Sequence, residues 1–434
     1  MRKHLNTFSA TFLVVASMLG TGILTTTGGI LSLVKSPTAA LLVWVAGGAL
    51  AWIGAWCYGE LARSMPRNGG EATILRELFS PTLGEIAGWT SFVVGFGACN
   101  AMSSLALSAY LGEALPGLPI NAKLVACIAL LLVTSMHGLL GPLGLRLQTL
   151  LATAKFTMLA FLTLFGLYLT APGLMAPAAA TTIAEPARQA AAFGAPWGLA
   201  MMYVGFSYSG WNAAIYVAGE IRDPARNVRR AMLIGTAIIV ALYVGINAVL
   251  LSQLPASKLE GVRPVIAALV KHLFGTQASS VFSGLVAFAL LSSLGVSAFL
   301  GPRVLATMLG WFGKDRVDEN APTVVNPRLI WMQLALSVFM VLTGTFDQIL
   351  TVMGFLLGLF PILCIMGLYR SGRHHHGRSL SIARYVFAPL YILVSSIILI
   401  LGAQQSPNEV CIALVLVAIF FAARLCTRRL ALNR

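Results

Sequence analysis

Residues 16–23, with the sequence ASMLGTGI, lie in the middle of a long apolar segment and carry two glycines separated by one residue. Residues 205–212, with the sequence GFSYSGWN, form a second glycine-containing stretch in the middle of another apolar segment. Glycine lowers helix stability and allows the backbone to unwind. The two stretches therefore predict two long apolar helices that are each interrupted near the middle.

The sequence around these stretches is apolar enough to require lipid as its solvent. Of its 434 residues, 58% are hydrophobic and 10% are charged, and the mean hydropathy is +0.85. A helix crosses a bilayer core with roughly 20 apolar residues. About twelve such stretches follow one another, at approximately 8–34, 37–61, 84–112, 121–140, 147–171, 196–218, 230–254, 279–309, 329–344, 348–369, 383–402 and 409–426.

The apolar stretches are continuous and rich in Leu and Ala, whereas the strands of a membrane barrel alternate apolar and polar residues. The sequence therefore predicts an all-α membrane protein. No small-residue cleavage site follows a compact apolar core near the N-terminus. We expect the first apolar stretch to remain in the mature protein as a span.

The formal net charge of +15 is distributed unevenly between alternate loops. If the N-terminus is cytoplasmic, most of the 29 Lys and Arg residues fall on the cytoplasmic side. The opposite side receives only Lys35, Lys123, Arg188, Lys258, Arg263 and Lys271. This asymmetry predicts that both termini are cytoplasmic. Because the charges do not form one patch, nucleic-acid binding is disfavoured.

The sequence offers little for metal or cofactor chemistry. The six cysteines have no paired spacing, and no CxxC, HExxH or phosphate-cradling loop is present. The histidine tract at residues 374–376 lies in a basic loop, and we interpret it as solvated. We therefore expect no metal, no cofactor and no ATP-driven pump.

The predicted breaks suggest a binding site. Broken helices expose N–H and C=O groups that lipid cannot satisfy, so protein or a ligand must satisfy them. Free N–H groups near Gly22 suit a carboxylate, and freed carbonyl groups suit an ammonium group. Such a site recognises both ends of an α-amino acid, as in inverted-repeat transporters. The alternative is that the small residues only allow close helix packing.

Lys155 lies deep in the stretch at 147–171, without an acidic residue within one helical turn. Burial of a lone cation in a membrane costs at least roughly 2.5–3.5 kcal/mol, so we expect Lys155 to face the bundle interior. The alternative is that the side chain reaches the membrane surface. A depth of about 12 Å, at 1.5 Å per residue, disfavours this alternative.

Three further segments resemble a known family. Residues 58–71, YGELARSMPRNGGE, are similar to the Y-x-E-L-x-x-x-x-P-x-x-G-G-E signature of amino acid permeases. Residues 218–227, AGEIRDPARN, resemble an acidic turn of this family that ends in P-x-R-N, and residues 301–304, GPRV, resemble a third element. The chain thus resembles the amino acid–polyamine–organocation (APC) superfamily, and residues 206–212 are most similar to its L-type branch.

The resemblance implies a LeuT-type fold in one transmembrane domain over residues 1–434. Two inverted five-helix repeats would occupy residues 8–171 and 196–369, with broken helices 1 and 6, and two additional helices would occupy residues 383–426.

The resemblance also implies roles for individual residues. The carboxylate of the substrate would bind the backbone of Met18, Leu19, Gly20, Thr21 and Gly22, with a contribution from the Thr21 hydroxyl. The ammonium group would bind the carbonyl groups of Met18, Phe206 and Ser209. Phe206 would also cover the substrate as a gate, and Asn212 would lie near the pocket. Lys155 matches a lysine of the L-type branch, and that lysine occupies the region in which sodium-coupled relatives of the same fold bind a sodium ion.

The expected pocket residues indicate the charge of the substrate. They contain no Asp or Glu, and they are Cys99, Asn100, Ser209, Asn212, Ser292 and Ser293. A cationic side chain would require an acidic partner in this environment, so neutral L-amino acids are favoured. We therefore predict a sodium-independent secondary transporter, and the sequence leaves exchange and proton symport open.

Three other functions are weighed against this prediction. A sodium-coupled symporter of the same fold needs carboxylate or hydroxyl ligands where Lys155 lies. A transporter-like amino acid sensor usually needs a soluble output domain, and the predicted tails are short. An enzyme needs a nucleophile paired with a base, and His137, the obvious base, lies near a helix end. We expect no enzyme.

The expected partners are the amino acid substrate and membrane lipid, without nucleic acid. In the eukaryotic L-type arrangement, a cysteine after span 3 joins the transporter to a heavy subunit. The loop at 112–123 contains no cysteine, so we expect no covalent heavy-subunit partner. The short tails suggest a bacterial inner-membrane protein.

Overall fold

A computed structural model describes residues 5–119, 121–139, 142–170, 191–310, 327–370 and 378–432. The histidine tract at 374–376 and Arg188 lie outside these ranges. The regular elements within them are helical, which confirms the all-α prediction. The α-helices are α1 (Thr7–Met18), α2 (Gly22–Thr25), α3 (Thr27–Val34), α4 (Pro37–Ser64), α5 (Gly70–Leu78), α6 (Pro81–Thr90), α7 (Cys99–Ala114), α8 (Ala122–Leu139), α9 (Pro142–Thr170), α10 (Ala195–Ser207), α11 (Ala213–Tyr216), α12 (Pro224–Gln253), α13 (Ala256–Leu259), α14 (Val265–Gly310), α15 (Pro327–Thr343), α16 (Phe346–Met366), α17 (Arg378–Ile382), α18 (Ala388–Gln405) and α19 (Pro407–Leu432).

Eight helical segments among the described residues are long and apolar enough to cross a membrane, and shorter apolar helices accompany them. Large apolar side chains are exposed on the outer helix faces, for example Leu150, Phe161 and Leu164 on α9. Exposed apolar rows of this kind suit contact with lipid, because a helix satisfies its own backbone polar groups. The protein is therefore an integral membrane protein.

The helix starts follow local capping rules. Ser36 and Ser80 each precede a proline, and their side chains accept hydrogen bonds from the backbone N–H groups of Ala39 (3.4 Å) and Leu83 (3.2 Å). A serine cap followed by proline in the first helical turn is a favoured helix start. This capping places the start of α6 at Pro81, before the apolar stretch predicted from residue 84.

Two segments differ from the sequence-based expectation. The helix α14 begins at Val265, although the apolar stretch was predicted from residue 279, because Lys271 and His272 interrupt the apolar run. It bends at Gly275, where φ is 85°. Between α6 and α7 the backbone forms a π-helix over Ser91–Ala98. A π-helix widens the backbone spiral and is frequent at functional sites.

The first apolar stretch contains a break. Helix α1 ends at Met18, residues 19–21 are not helical, and α2 begins at Gly22. The Gly20 N–H donates to the Met18 carbonyl oxygen at 2.6 Å, which turns the chain sharply. A Cβ atom on Gly22 would overlap the backbone of Ser207, so glycine allows this segment to lie against α10.

The stretch at 196–218 contains the second break. Helix α10 ends at Ser207, residues 208–212 form turns, and α11 begins at Ala213. Gly210 has a φ of 97°, which favours glycine, and a Cβ atom there would lie 2.8 Å from the Ser17 carbonyl carbon and oxygen. The two breaks therefore face each other.

Candidate functional site

The backbone around the first break carries unused hydrogen-bond donors. The N–H groups of Thr21 and Gly22 have no acceptor in the described part of the chain. The Thr21 hydroxyl is buried and has no hydrogen-bond partner there either. Buried polar groups are normally paired, so three unpaired groups at one place suggest a site for a bound acceptor.

The carbonyl groups near the breaks differ in their availability. The Met18 carbonyl oxygen accepts hydrogen bonds from the Gly20 N–H and the Tyr243 hydroxyl, both at 2.6 Å. A carbonyl oxygen has two lone pairs, so the Met18 oxygen is saturated in this conformation. The Phe206 carbonyl oxygen accepts from the Ser209 N–H at 2.9 Å and also faces the Tyr208 N–H, which is shared with the Val204 carbonyl oxygen. The Ser209 carbonyl oxygen accepts no hydrogen bond from the described residues.

Three aromatic residues fix the breaks to the neighbouring helices. Trp44, Tyr208 and Tyr243 pack with ring centroids 5.3–5.8 Å apart. The Tyr208 hydroxyl donates to the Trp44 carbonyl oxygen at 3.1 Å. Together with the bond from Tyr243 to Met18, these contacts hold the broken segments against α4 and α12.

A cavity of about 100 Å³, lined by polar and apolar side chains, lies beside the two breaks. A single buried water needs only roughly 10–15 Å³ of such space, so the cavity holds more than one water-sized group. Its lining comes from the end of α1, α5, the π-helix, α7, α10, the second break, α11, α14 and α16. It consists of Ser17, Glu71, Ser91, Gly95, Phe96, Cys99, Gly205, Ser209, Gly210, Trp211, Asn212, Ala213, Tyr216, Val296, Ser297, Leu300, Leu357 and Pro361.

The cavity includes some of the residues that the sequence indicated. Ser209, Asn212 and Cys99 line it. The lining does not include Asn100, Ser292, Ser293, Phe206 or the five residues Met18, Leu19, Gly20, Thr21 and Gly22. Those five lie in the first break, next to the lining residue Ser17. Phe206 is buried at the end of α10, 4% exposed.

Glu71, which lies between the second and third spans, also lines the cavity, and it was not among the expected pocket residues. Its Oε1 atom accepts a hydrogen bond from the Tyr58 hydroxyl at 2.8 Å and from the Asn212 side-chain amide at 3.0 Å. Glu71 and Asn212 are 141 positions apart in the sequence. The available signal was the YGELARSMPRNGGE segment, which contains both Tyr58 and Glu71.

A glycine pair places Glu71 in the cavity. Gly69 and Gly70 have φ values of 104° and 60°, in the left-handed region that favours glycine. A Cβ atom on Gly70 would overlap the Tyr216 ring. The pair turns the chain between the spans α4 and α6–α7, so that α5 begins directly against the second break.

Burial raises the pKa of the Glu71 carboxyl group to about 7, and the hydrogen bonds from Tyr58 and Asn212 partly oppose this rise. Removing a carboxylate from water disfavours its charged form. Glu71 lies between two spans, in a segment that is not itself long enough to cross the membrane. The pKa of its carboxyl group is therefore raised toward neutral pH.

Lys155 is fully buried in α9, inside the bundle. Its Nζ atom donates to the Ser293 Oγ atom at 2.6 Å, and the Ser293 hydroxyl donates to the Leu19 carbonyl oxygen at 3.4 Å. The link between Lys155 and the first break thus passes through α14. Ser293, which was expected to line the pocket, lies instead between the cation and the broken helix.

Comparison with known proteins identifies the family. The amino acid permease family matches residues 5–426 of the chain. The chain belongs to the amino acid permease family. The prediction of APC superfamily membership is therefore confirmed, and this permease is a transporter rather than an enzyme by family.

This permease is similar to mammalian transporters. It is 25% identical to the b(0,+)-type amino acid transporter 1 of Mus musculus over 424 residues, covering 93% of this chain and 82% of that protein. The Homo sapiens protein of the same name is 25% identical over 421 residues, with the same coverage.

The large neutral amino acids transporter small subunit 2 of Mus musculus is 27% identical over 288 residues, covering 64% of this chain and 53% of that protein. That name describes one subunit of an assembly. The absence of a covalent heavy-subunit partner for this permease stays a prediction.

Among the described residues, no group of three or more His, Cys, Asp or Glu side chains is arranged to hold a metal ion. The cavity instead offers hydroxyl groups, an amide, a carboxyl group and backbone groups of two broken helices. This arrangement suits a small zwitterion, which needs both hydrogen-bond donors and acceptors.

Proposed function

We propose that this permease moves neutral L-amino acids across the membrane by alternating access and without sodium, either as an exchanger or with protons. The observation that carries this proposal is the pair of facing breaks, with unpaired donors at Thr21 and Gly22 and an unpaired carbonyl at Ser209. Broken helices that present such groups to a substrate are the basis of recognition in inverted-repeat transporters.

In this proposal the substrate carboxylate binds the N–H groups of Thr21 and Gly22 and the Thr21 hydroxyl, within the segment Met18, Leu19, Gly20, Thr21 and Gly22. The ammonium group binds the carbonyl groups of Ser209 and Phe206. The Met18 carbonyl takes part only if its bond from Tyr243 opens, because both of its lone pairs are used. Phe206 acts as the gate over the substrate, and Asn212 borders the pocket.

Lys155 acts in place of sodium. Its ammonium group is buried and reaches the first break through Ser293. When it is protonated, the Lys155 side chain repels a second cation at this place and supplies a donor to the bundle interior. This supports sodium independence and disfavours the sodium-coupled alternative.

The proposal includes the arrangement of the whole chain. The breaks lie in the first helices of two five-helix repeats, at 8–171 and 196–369, and two further helices lie at 383–426. Both termini are cytoplasmic, in a bacterial inner membrane, and the transporter needs no cofactor. Alternating access follows from movement of one packed group of helices against the other.

The test is reconstitution of the purified protein in liposomes that contain unlabelled amino acids. Labelled neutral, cationic and anionic L-amino acids are added outside. Their uptake is compared with uptake into liposomes that contain the protein but no internal amino acid. Saturable uptake of neutral amino acids supports the proposal. Binding without any uptake would favour the amino acid sensor, and uptake restricted to charged amino acids would contradict the proposed substrate class.

A further inference from the structure

Two buried acidic residues lie close together in the sequence but have opposite surroundings. Glu60, at the end of α4, forms ion pairs with Arg229 (2.7 Å) and Arg63 (3.4 Å). Glu71 is equally buried, 5% exposed, but its two hydrogen-bond donors, Tyr58 and Asn212, are uncharged. No ion pair involves Glu71 in the described part of the chain. A buried carboxylate without a cation is costly, so it favours its protonated form.

The position of the two oxygen atoms also fits a protonated acid. Both hydrogen bonds go to Oε1, and Oε2 has no partner among the described residues. Because Glu71 lines the cavity, a proton on Oε2 can be exchanged with water inside it. The cavity thus gives a proton on Oε2 a place to leave once water reaches the carboxyl group.

Other titratable groups surround Glu71 without providing a counter-charge. The elements around α5 contribute phenol and thiol groups that face the carboxyl group, namely Tyr58 on α4, Tyr216 on α11, Cys364 on α16 and Tyr391 on α18. The charged neighbours Arg76 and Glu77 on α5 and Glu85 on α6 form no bond with Glu71. Glu71 is therefore the acidic residue whose protonation can change when the cavity opens.

We propose that Glu71 is the proton-carrying residue of this permease. Its carboxyl group is protonated while Tyr58 and Asn212 hold it beside the second break, and its Oε2–H bond breaks when Asn212 moves away and water reaches the carboxyl group. The proton passes to water, the carboxylate is hydrated, and the second break is released from α5. This inference rests on the proposed transport function and resolves it toward proton coupling.

The experiment uses full-length protein in liposomes that contain the pH-sensitive dye pyranine. Uptake of labelled L-leucine, or of the neutral amino acid with the highest uptake, is measured at equal internal and external pH from 6 to 8. The protonated fraction of a group with a pKa of about 7 falls about tenfold over this range. We expect the rate of wild-type uptake to follow this protonated fraction. We also expect uptake to be accompanied by a change in pyranine fluorescence, which reports proton movement.

Glu71→Gln imitates the protonated form. We expect uptake by this variant to lose its dependence on pH and to lose the pyranine signal. Glu77→Gln is the matched control, because Glu77 lies on the same helix and is exposed in an ion pair with Arg67. It should keep the wild-type profile. Glu71→Asp keeps a carboxyl group at a changed distance, and it should shift the profile.

Infrared spectroscopy tests the titration independently of transport. A carboxylic-acid C=O band that disappears between pH 6 and 8 in the wild type, and is absent in Glu71→Gln, supports the proposal. If no such band titrates, or if Glu71→Gln keeps the wild-type pH profile, the proposal is overturned even when amino acids are transported. Loss of only cationic amino acid uptake in Glu71→Gln would overturn it too, because Glu71 would then bind the substrate side chain.

Discussion

Replacing Lys155 by methionine removes the buried ammonium group and keeps a side chain of similar length. Ser293 then loses the donor at 2.6 Å, and its link to the Leu19 carbonyl oxygen is no longer held by α9. The substrate contacts proposed at Thr21 and Ser209 are not touched directly. We therefore expect Lys155→Met to impair transport more than binding.

The magnitude follows from the contact that is lost. A hydrogen bond to a charged group contributes about 1.5–3 kcal/mol. If the bond between Lys155 and Ser293 exists in only one of the two packings that alternate during transport, its loss shifts their equilibrium about 10- to 150-fold. The result should be near-normal affinity from one side of the membrane, altered apparent affinity from the other side, and slow turnover.

The assay measures binding and transport in liposomes of known protein orientation. Lys123→Met is the control, because Lys123 is an exposed lysine that also donates to a carbonyl group, that of Leu342. Ser293→Ala is measured alone and together with Lys155→Met. The effects of the two substitutions should be strongly non-additive, because both break the same series of hydrogen bonds from Lys155 through Ser293 to Leu19. Additive effects, or unchanged kinetics from both sides in Lys155→Met, would refute this reasoning.

Three further predictions concern the cavity and the breaks. Gly205→Val should reduce uptake at least severalfold, because a Cβ atom there meets nothing within 4 Å and the added side chain enters the cavity. Gly112→Val, which is equally unobstructed but does not line the cavity, should leave uptake unchanged in the same assay. Gly22→Ala should abolish substrate binding measured by calorimetry, because the added Cβ atom would overlap Ser207. Gly20→Ala is expected to fold normally, because its Cβ atom would lie 3.8 Å from the Met18 carbonyl oxygen. Equal affinity for the substrate in both variants would contradict this packing argument. The raised pKa of Glu71 means that the folded protein holds its proton more tightly than the unfolded chain between pH 4.5 and about 7. Wild-type stability should therefore fall relative to Glu71→Gln as pH rises through this range, by up to about 3 kcal/mol, and thermal unfolding curves with no such divergence would contradict the raised pKa.

The positions of the breaks were predictable because their cause is local. Gly20, Gly22 and Gly210 weaken the helix in which they occur, and the apolar residues on both sides show that the segment lies in the membrane. The burial of Lys155 was also predictable, because a charged side chain in an apolar span is expected to face the bundle interior.

The partners of these residues were not predictable from local sequence. Ser293 is 138 positions from Lys155, and Asn212 is 141 positions from Glu71. Such pairs depend on how distant helices pack, and hydropathy carries no information about that packing. For this reason Ser293 was assigned to the pocket, and Glu71 was not recognised as a lining residue. The π-helix at Ser91–Ala98 was missed because its sequence is as apolar as that of an α-helix.

Uptake of a labelled neutral L-amino acid into liposomes, measured with sodium chloride and again with choline chloride at the same pH, tests the central proposal most directly. The buried ammonium group of Lys155, linked through Ser293 to the first break, leads us to expect the same rate of uptake in both salts. Uptake that disappears when choline replaces sodium would contradict this account and would support the sodium-coupled alternative.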